Sequence, residues 1–465
     1  MSAPTEAGRI SRVLIANRGE IAARVLRTCG QLGIETVLVV SEADRESLPA
    51  RLADRAVCIG ASRPVDSYLN MNAIVQAALA TKCDAIHPGY GFLAERAPFA
   101  KLCEDNGIRF IGPTAAQIDA MGDKLRARAE AVAAQVPVVP GGAVTTRDEA
   151  QRLATQIGVP LLIKAVGGGG GRGMKRVDRL LDLAAAMDTA SAEAGAAFGD
   201  ARVYLERYVE SGRHIEVQVI GDGAGAVAHL GERDCSVQRR YQKLIEESPA
   251  PGLDPALRTR LQEAAVRFAA RLQYRGAGTV EFLVDTARNE FYFLEMNARI
   301  QVEHPVTEMV TGIDLVAAQI AVAEGRGIGA VEAHVHEGGW AIECRINAED
   351  PANDFMPSPG TVLLAQWPAG AGLRVDTHIA NGSRVPPFYD SLLGKIIAHG
   401  ADRAAALRGM RAALAATQIE GVKTNLAFQQ AVLEDVQFQQ GGVDTGFLAR
   451  FIEAQLQAPW RKANG

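Results

Sequence analysis

Between Glu295 and His304 the chain reads Glu-Met-Asn-Ala-Arg-Ile-Gln-Val-Glu-His. Glu295, Asn297, Arg299, Gln301 and Glu303 alternate with Met296, Ala298, Ile300 and Val302. Successive side chains of an extended chain point to opposite faces, so one face carries a row of carboxylate, amide and guanidinium. Just upstream, the segments 278–285 and 291–295 read as the strands of a hairpin with its loop at 286–290. Pairing Asp285 with Phe291 sets Glu281 opposite Glu295. Like charges so placed destabilise a sheet, and a divalent cation between them removes the penalty. Glu281, Glu295 and Asn297 are hard oxygen ligands, suited to Mg²⁺ or Mn²⁺ bridging substrate phosphates. The competing reading is a solvated polar face on an edge strand. Water-facing strands seldom need amide, guanidinium and carboxylate in fixed alternation, which favours the chemical reading for the row as a whole.

Such a row needs a large scaffold. The chain has 465 residues, 48% of them hydrophobic and 22% charged, with 47 glycines, enough for about three domains with buried cores. A net charge of −5 leaves no bulk basic field, so nucleic acid is not an expected partner. Six scattered cysteines without a Cys-x-x-Cys pair fit a reducing compartment rather than zinc or disulfides. The N-terminus lacks the apolar core of a signal peptide and no run reaches membrane-span length, so a cytoplasmic protein with no membrane partner is expected.

Strands at 12–16, 35–40, 84–87 and 109–112 alternate with helical patterns, implying an α/β fold with a doubly wound parallel sheet that closes near residue 114. The first turn, Asn17-Arg18-Gly19-Glu20, lacks Gly-x-Gly-x-x-Gly, so no dinucleotide site is expected. The loop His87-Pro-Gly-Tyr-Gly-Phe-Leu-Ala-Glu95 ends a strand and fits ligand binding and structural turn chemistry equally. Residues 117–134 read as one helix bearing Lys124, and Thr146 with Glu149 as a capping box. A strand over 159–166 contains Lys164. Five glycines follow, Gly167 to Gly171, and then a strand over 174–177. No Gly-Lys-Ser/Thr opens a helix here, so this is a hairpin flap rather than a P-loop. Its bare N–H groups can wrap phosphate, with Lys124 and Lys164 adding charge. The segment 214–220 pairs with 225–230, and further on Arg239, Arg240 and Lys243 crowd beside Gln238 and Tyr241. They form a local anion site or a salt-bridged loop, the former being favoured. Helices are expected over 257–272, 307–323 and 403–416. A strand over 339–347 places Glu343, Arg345 and Asn347 on one face and opens an all-strand stretch to Ile397.

Together, the His87-Pro-Gly-Tyr-Gly-Phe loop, the glycine run, Glu232-Arg-Asp-Cys-Ser, the 295–304 stretch and Glu343-Cys-Arg-Ile-Asn-Ala-Glu-Asp350 resemble biotin carboxylase, the ATP-grasp component of biotin-dependent carboxylases. The resemblance runs from about Arg12 to about Phe447. It implies an N-terminal α/β domain over 1–114 and an ATP-grasp domain over 115–330, with a flap subdomain near 136–205. A mainly β C-terminal domain with terminal helices would occupy 331–465. The implied activity is ATP-dependent carboxylation of biotin by bicarbonate through carboxyphosphate, with two Mg²⁺ or Mn²⁺ ions.

In that scheme Lys124, Lys164, Gly168, Gly169 and Gly170 would hold phosphates. Glu206, Arg207, Tyr208, Val209, His214, Gln238 and Tyr241 would line the adenine and ribose site, and Glu281, Glu295 and Asn297 would hold the metal ions. Lys243, Arg299, Gln301 and the Val302 backbone would fix bicarbonate. Glu303 would be the general base, and Arg345 would stabilise the biotin enolate. Tyr241 stands where many relatives carry His, and Arg207 where Lys is common; both bear on nucleotide affinity. Without a Met-Lys-Met-type biotinylation motif, biotin is expected on a separate biotin carboxyl carrier protein. Carboxyltransferase subunits would use the product, and the chain is expected to form a homodimer. Two rivals are another ATP-grasp ligase joining a carboxylate to an amine, and a nucleotide-binding module without catalysis. The set Arg299-Ile-Gln-Val-Glu303 with Arg345 speaks for carboxylation.

Overall fold

The protein is described here by a computed structural model covering residues 8–166, 174–329, 331 and 338–456. The glycine run, with Gly168, Gly169 and Gly170, lies outside the described residues. Strands β1 (Arg12–Ile15), β2 (Glu35–Ser41), β3 (Arg55–Gly60), β4 (Ala85–His87) and β5 (Arg109–Phe110) form a parallel sheet in the order β3-β2-β1-β4-β5. Strands β1 and β2 are almost wholly buried, as near-continuous apolar strands are when helices cover both faces. The strand order reverses between β1 and β4, the point where open α/β sheets receive ligands. There the loops after the two strands are tied together. Asn17 Nδ2 donates to the carbonyls of Pro88 and Tyr90, both at 2.7 Å.

Strands β6 (Gly141–Val144), β7 (Leu161–Ala165), β8 (Met174–Val177) and β9 (Val203–Arg207) make a separate antiparallel sheet, ordered β6-β9-β7-β8. It has its own apolar core, including Leu161, Ile163 and Leu205. β7 and β8 pair as far as Lys164 opposite Met174, on either side of the glycine run.

The largest sheet has eight strands. β10 (Gly212–Asp222), β11 (Val227–Arg239), β12 (Gln242–Ser248), β13 (Arg275–Asp285), β14 (Glu290–Asn297) and β15 (Trp340–Asn347) belong to it. Short strands β16 (Glu349–Asp350), β17 (Met356–Pro357), β18 (Gly360–Thr361), β19 (Leu364–Gln366) and β21 (Arg384–Val385) pair in two-stranded sheets of their own, β19 with residues 418–420. β20 (Leu373–Thr377) and β22 (Leu392–Gly400) complete the large sheet, ordered β14-β13-β10-β11-β12-β15-β22-β20. The helix Pro255–Arg271 packs on it through Phe268, whose ring centroid lies 4.7 Å from that of Phe293.

Three expectations are corrected. The helix read over 117–134 is two helices, Ala115–Gly122 and Lys124–Ala133, because Asp123 breaks the run and caps the second. The helix read over 307–323 is His304–Thr311 followed by Leu315–Ala323, bent by 94°. Gly312 ends the first in the left-handed region at φ 74° and Asp314 caps the second. The cations at 239–243 do not form one cluster. Residues Arg240 and Tyr241, at φ 49° and 66°, make a tight turn between β11 and β12, which separates the cations. Among the described residues no single helix is long and apolar enough to cross a membrane.

Candidate active site

Glu281 does lie opposite Glu295, but not through the expected register. Asp285 pairs with Glu290 rather than Phe291, and a bulge at Leu294 shifts the ladder by one residue before Glu295. On its other side Glu281 faces Glu216 of β10, so three carboxylates cross the sheet in a row. Alternation on the 295–300 segment holds: Met296, Ala298 and Ile300 are buried, while Glu295, Asn297 and Arg299 turn towards a cleft of about 1630 Å³.

The cations that offset this row come from elsewhere in the chain. Lys243 Nζ donates to Glu216 at 2.6 Å, Glu281 at 2.9 Å and Glu303 at 2.6 Å. Burial opposes the ammonium, but the three carboxylates outweigh it and hold its pKa well above the ordinary lysine value. Arg233, fully buried, donates to Glu216 at 2.6 Å. His214 Nε2 lies 3.1 Å from Glu281. Although burial disfavours its charge, that carboxylate raises the imidazole to about 9. Glu281 is held below the usual carboxylate range by Lys243 and His214, against the effect of burial. Glu295 behaves oppositely. Its side chain is open to the cleft, and the cleft walls together with the Glu281 charge raise its pKa.

Glu303 is the N-cap residue of the helix His304–Thr311, where the helix dipole favours a carboxylate. It is fully buried and held from two sides, by Lys243 at 2.6 Å and by Arg345 Nη2 at 2.9 Å. Burial works against its charge, but Lys243 and Arg345 leave the carboxyl below its ordinary value. Arg345 also donates to Glu246 at 2.6 Å. Arg299 is oriented by Glu95 at 2.7 Å, Gln301 at 2.9 Å and Asn297 at 3.0 Å. The same Glu95 carboxylate accepts the Ala298 N–H at 2.9 Å. The His87 loop therefore divides in function. Tyr90 and Gly91 line the cleft and Glu95 aims an arginine, whereas His87 itself is buried against Gln319.

Every candidate site residue among the described residues lines this one cleft. Along its other arm Lys164 pairs with Glu206, and the Arg207 guanidinium lies 5.2 Å from the Tyr292 ring centroid and donates to its hydroxyl. Lys124 faces the same arm from the start of its helix. Burial there lowers its pKa, and the Glu295 charge most opposes that shift. Gln238, Tyr208 and Val209 complete this wall, and Tyr241 projects from its hairpin 60% exposed. Arg239 and Arg240 both pair with Asp354, so the salt-bridged reading applies to them and only Lys243 enters the anionic centre. Glu95, Glu216, Arg233, Glu246 and Lys395 were not singled out from the sequence. For Glu216 the signal was there, since it shares a strand face with His214 and Gln218.

With this geometry in view, residues 9–118 match the family described as biotin carboxylase, N-terminal domain. Residues 123–330 match the carbamoyl-phosphate synthase L chain, ATP binding domain, and residues 343–450 the biotin carboxylase C-terminal domain. The chain is 51% identical over 442 residues to a biotin carboxylase of Nostoc sp., covering 95% of this chain and 99% of that one. It is 50% identical over 444 residues to biotin carboxylase 1 of Bacillus subtilis, again covering 95% and 99%. Among solved structures it resembles the biotin carboxylase domain dimer of Hydrogenobacter thermophilus 2-oxoglutarate carboxylase, in complex with MgADP, ADP and bicarbonate. That likeness has a TM-score of 0.89 at 45% identity and covers 95% of this chain and 98% of the other.

Proposed function

The chain belongs to the biotin carboxylase family and catalyses ATP-dependent carboxylation of biotin by bicarbonate; from that premise we propose the following roles for its residues. Lys124 and Lys164 hold ATP phosphates, and Glu206, Arg207, Tyr208, Val209, His214, Gln238 and Tyr241 line the base and ribose. Glu281, Glu295 and Asn297 hold Mg²⁺ or Mn²⁺. The fit rests on Glu295, a cleft-facing carboxylate whose charge is raised in cost by the cleft walls and by the carboxylate directly opposite. When bound, the ions neutralise phosphate charge and orient the γ-phosphoryl group.

Arg299, Lys243, Gln301 and the Val302 N–H seat bicarbonate beside Glu303. The observation that carries this reading is the Glu303 carboxylate clasped by Lys243 and Arg345. A base so clasped is ionised but weak. Bicarbonate entering between Arg299 and Lys243 adds a negative charge next to Glu303 and competes for Lys243. Both effects raise the basicity of Glu303 towards the bicarbonate proton. Deprotonated bicarbonate attacks the γ-phosphorus, giving carboxyphosphate and ADP, and carboxyphosphate breaks down to CO₂ and phosphate. Phosphate takes the N1′ proton of biotin, Arg345 stabilises the enolate, and N1′ attacks CO₂. Biotin arrives on a separate carrier protein, and carboxyltransferase subunits consume carboxybiotin. The dimeric state of the Hydrogenobacter domain supports a homodimer here.

Steady-state ATP hydrolysis with bicarbonate and biotin each added or omitted tests this reading. Glu303→Gln should abolish bicarbonate-dependent turnover while ATP binding stays near wild type. Near-normal turnover in that variant would falsify the assignment of the base.

A further inference from the structure

The turn that carries Val302 and Glu303 belongs to neither a helix nor a strand. A site on irregular backbone is accurate only if other groups hold it. Arg345 holds the Glu303 side chain. On the neighbouring strand, directly opposite Arg345, stands Lys395. It is fully buried, and its Nζ donates to the Val302 carbonyl at 2.6 Å. Like charges directly opposite destabilise a sheet, and a buried ammonium costs free energy unless paired. Here the ammonium lies 3.2 Å from Glu20 Oε1, and the same oxygen accepts the Tyr90 hydroxyl, whose residue lines the cleft.

The peptide on the other side of Val302 is held as well. The Gln301 carbonyl accepts from His304 Nδ1 at 2.7 Å. In a planar trans peptide the N–H points away from the C=O. Holding the Gln301 carbonyl on the protein side therefore aims the Val302 N–H the other way, and Lys395 fixes the peptide that follows. Both peptides flanking Val302 are thus pinned by their carbonyls.

We propose that Lys395 is a positioning residue for bicarbonate: by holding the Val302 carbonyl it keeps the Val302 N–H and the Glu303 carboxylate aimed at one substrate. The inference rests on the bicarbonate reading of the turn given above. It assigns Lys395 no contact with substrate, only with the backbone that makes the contact.

The test is bicarbonate-dependent ATP hydrolysis by the full chain as wild type, Lys395→Met and the double variant Lys395→Met/Glu20→Gln. The double variant removes the buried carboxylate charge that the single change strands. In both variants the KM for bicarbonate should rise about tenfold or more, as expected for a turn displaced by a fraction of an ångström, while the KM for ATP stays within about twofold. A wild-type bicarbonate KM in the folded double variant overturns the proposal. So does a parallel rise in both KM values, which marks general loosening of the cleft. If neither variant folds, Lys395 is a stability residue and the proposal fails. Should wild-type hydrolysis ignore bicarbonate altogether, it is the reading of the turn that fails.

Discussion

Two of the like-charge rows in the eight-stranded sheet are handled in opposite ways. Across β10, β13 and β14 run Glu216, Glu281 and Glu295. Across β15 and β22 stand Arg345 and Lys395, with Asp376 beyond on β20. The cationic pair is closed from within: Glu246 and Glu303 accept from Arg345, and Glu20 faces Lys395. The anionic row is closed only at its inner end, by Lys243, Arg233 and His214. Its outer member, Glu295, is left open to the cleft. Here the pair completed by the protein serves as scaffold, and we propose that the row left open at Glu295 serves a ligand of opposite charge.

The contrast can be broken most directly at Arg345. Arg345→Met strands the buried Glu246 carboxylate, takes one of two cationic partners from Glu303, and should destabilise the fold by about 3 kcal/mol or more in denaturant unfolding, with turnover lost as well. An unchanged unfolding midpoint would mean that the cationic pair is not structural. Glu295→Gln should do the reverse, leaving metal-free stability unchanged or raised while turnover falls roughly a hundredfold. Stabilisation by added Mg²⁺-nucleotide should weaken in parallel, which thermal shift measures. Full activity in Glu295→Gln would remove the distinction between the two rows.

The smallest effect concerns pH. His214 is raised in the folded state to about 9, so its protonated form stabilises the fold. That contribution is complete below its unfolded value of about 6.5 and is lost as pH rises through about 9. Wild type should therefore lose its stability margin over His214→Gln across that window. A gap that is constant from pH 6 to about 9.5 would show that folding leaves the imidazole pKa unshifted.

What the sequence revealed follows the reach of each interaction. The Glu281–Glu295 pair sits in one hairpin, where alternation and charge are local, and so it could be read. Lys395 meets a carbonyl 93 residues away and a carboxylate on the first helix, and no local pattern marks either contact. Lys243 was visible as a cation but was grouped with Arg239 and Arg240. The two-residue turn sends those two to Asp354 at the rim, while Lys243 on β12 enters the carboxylate cage. The parallel sheet was legible because β1 and β2 are buried apolar runs. The breaks at Asp123 and Gly312 were not, because helix-forming residues on both sides masked a cap and a left-handed glycine.

The bulge at Leu294 gives the cleft-facing row a phase of its own. In an unbroken ladder continuing from Asp285 opposite Glu290, Leu294 would fall opposite Glu281, and Glu295 would rotate to the apolar side together with Asn297 and Arg299. Leu294 thus works as a spacer. Straightening the strand with Leu294 kept would exchange the wet and dry faces of the whole 295–299 segment without changing a single charged residue. Removing Leu294 itself would take out the offset and leave Glu295 opposite Glu281 in a regular ladder. The chemistry here is indexed by a backbone offset, and a graft that copied this segment residue for residue onto a regular hairpin would carry the right composition in the wrong orientation.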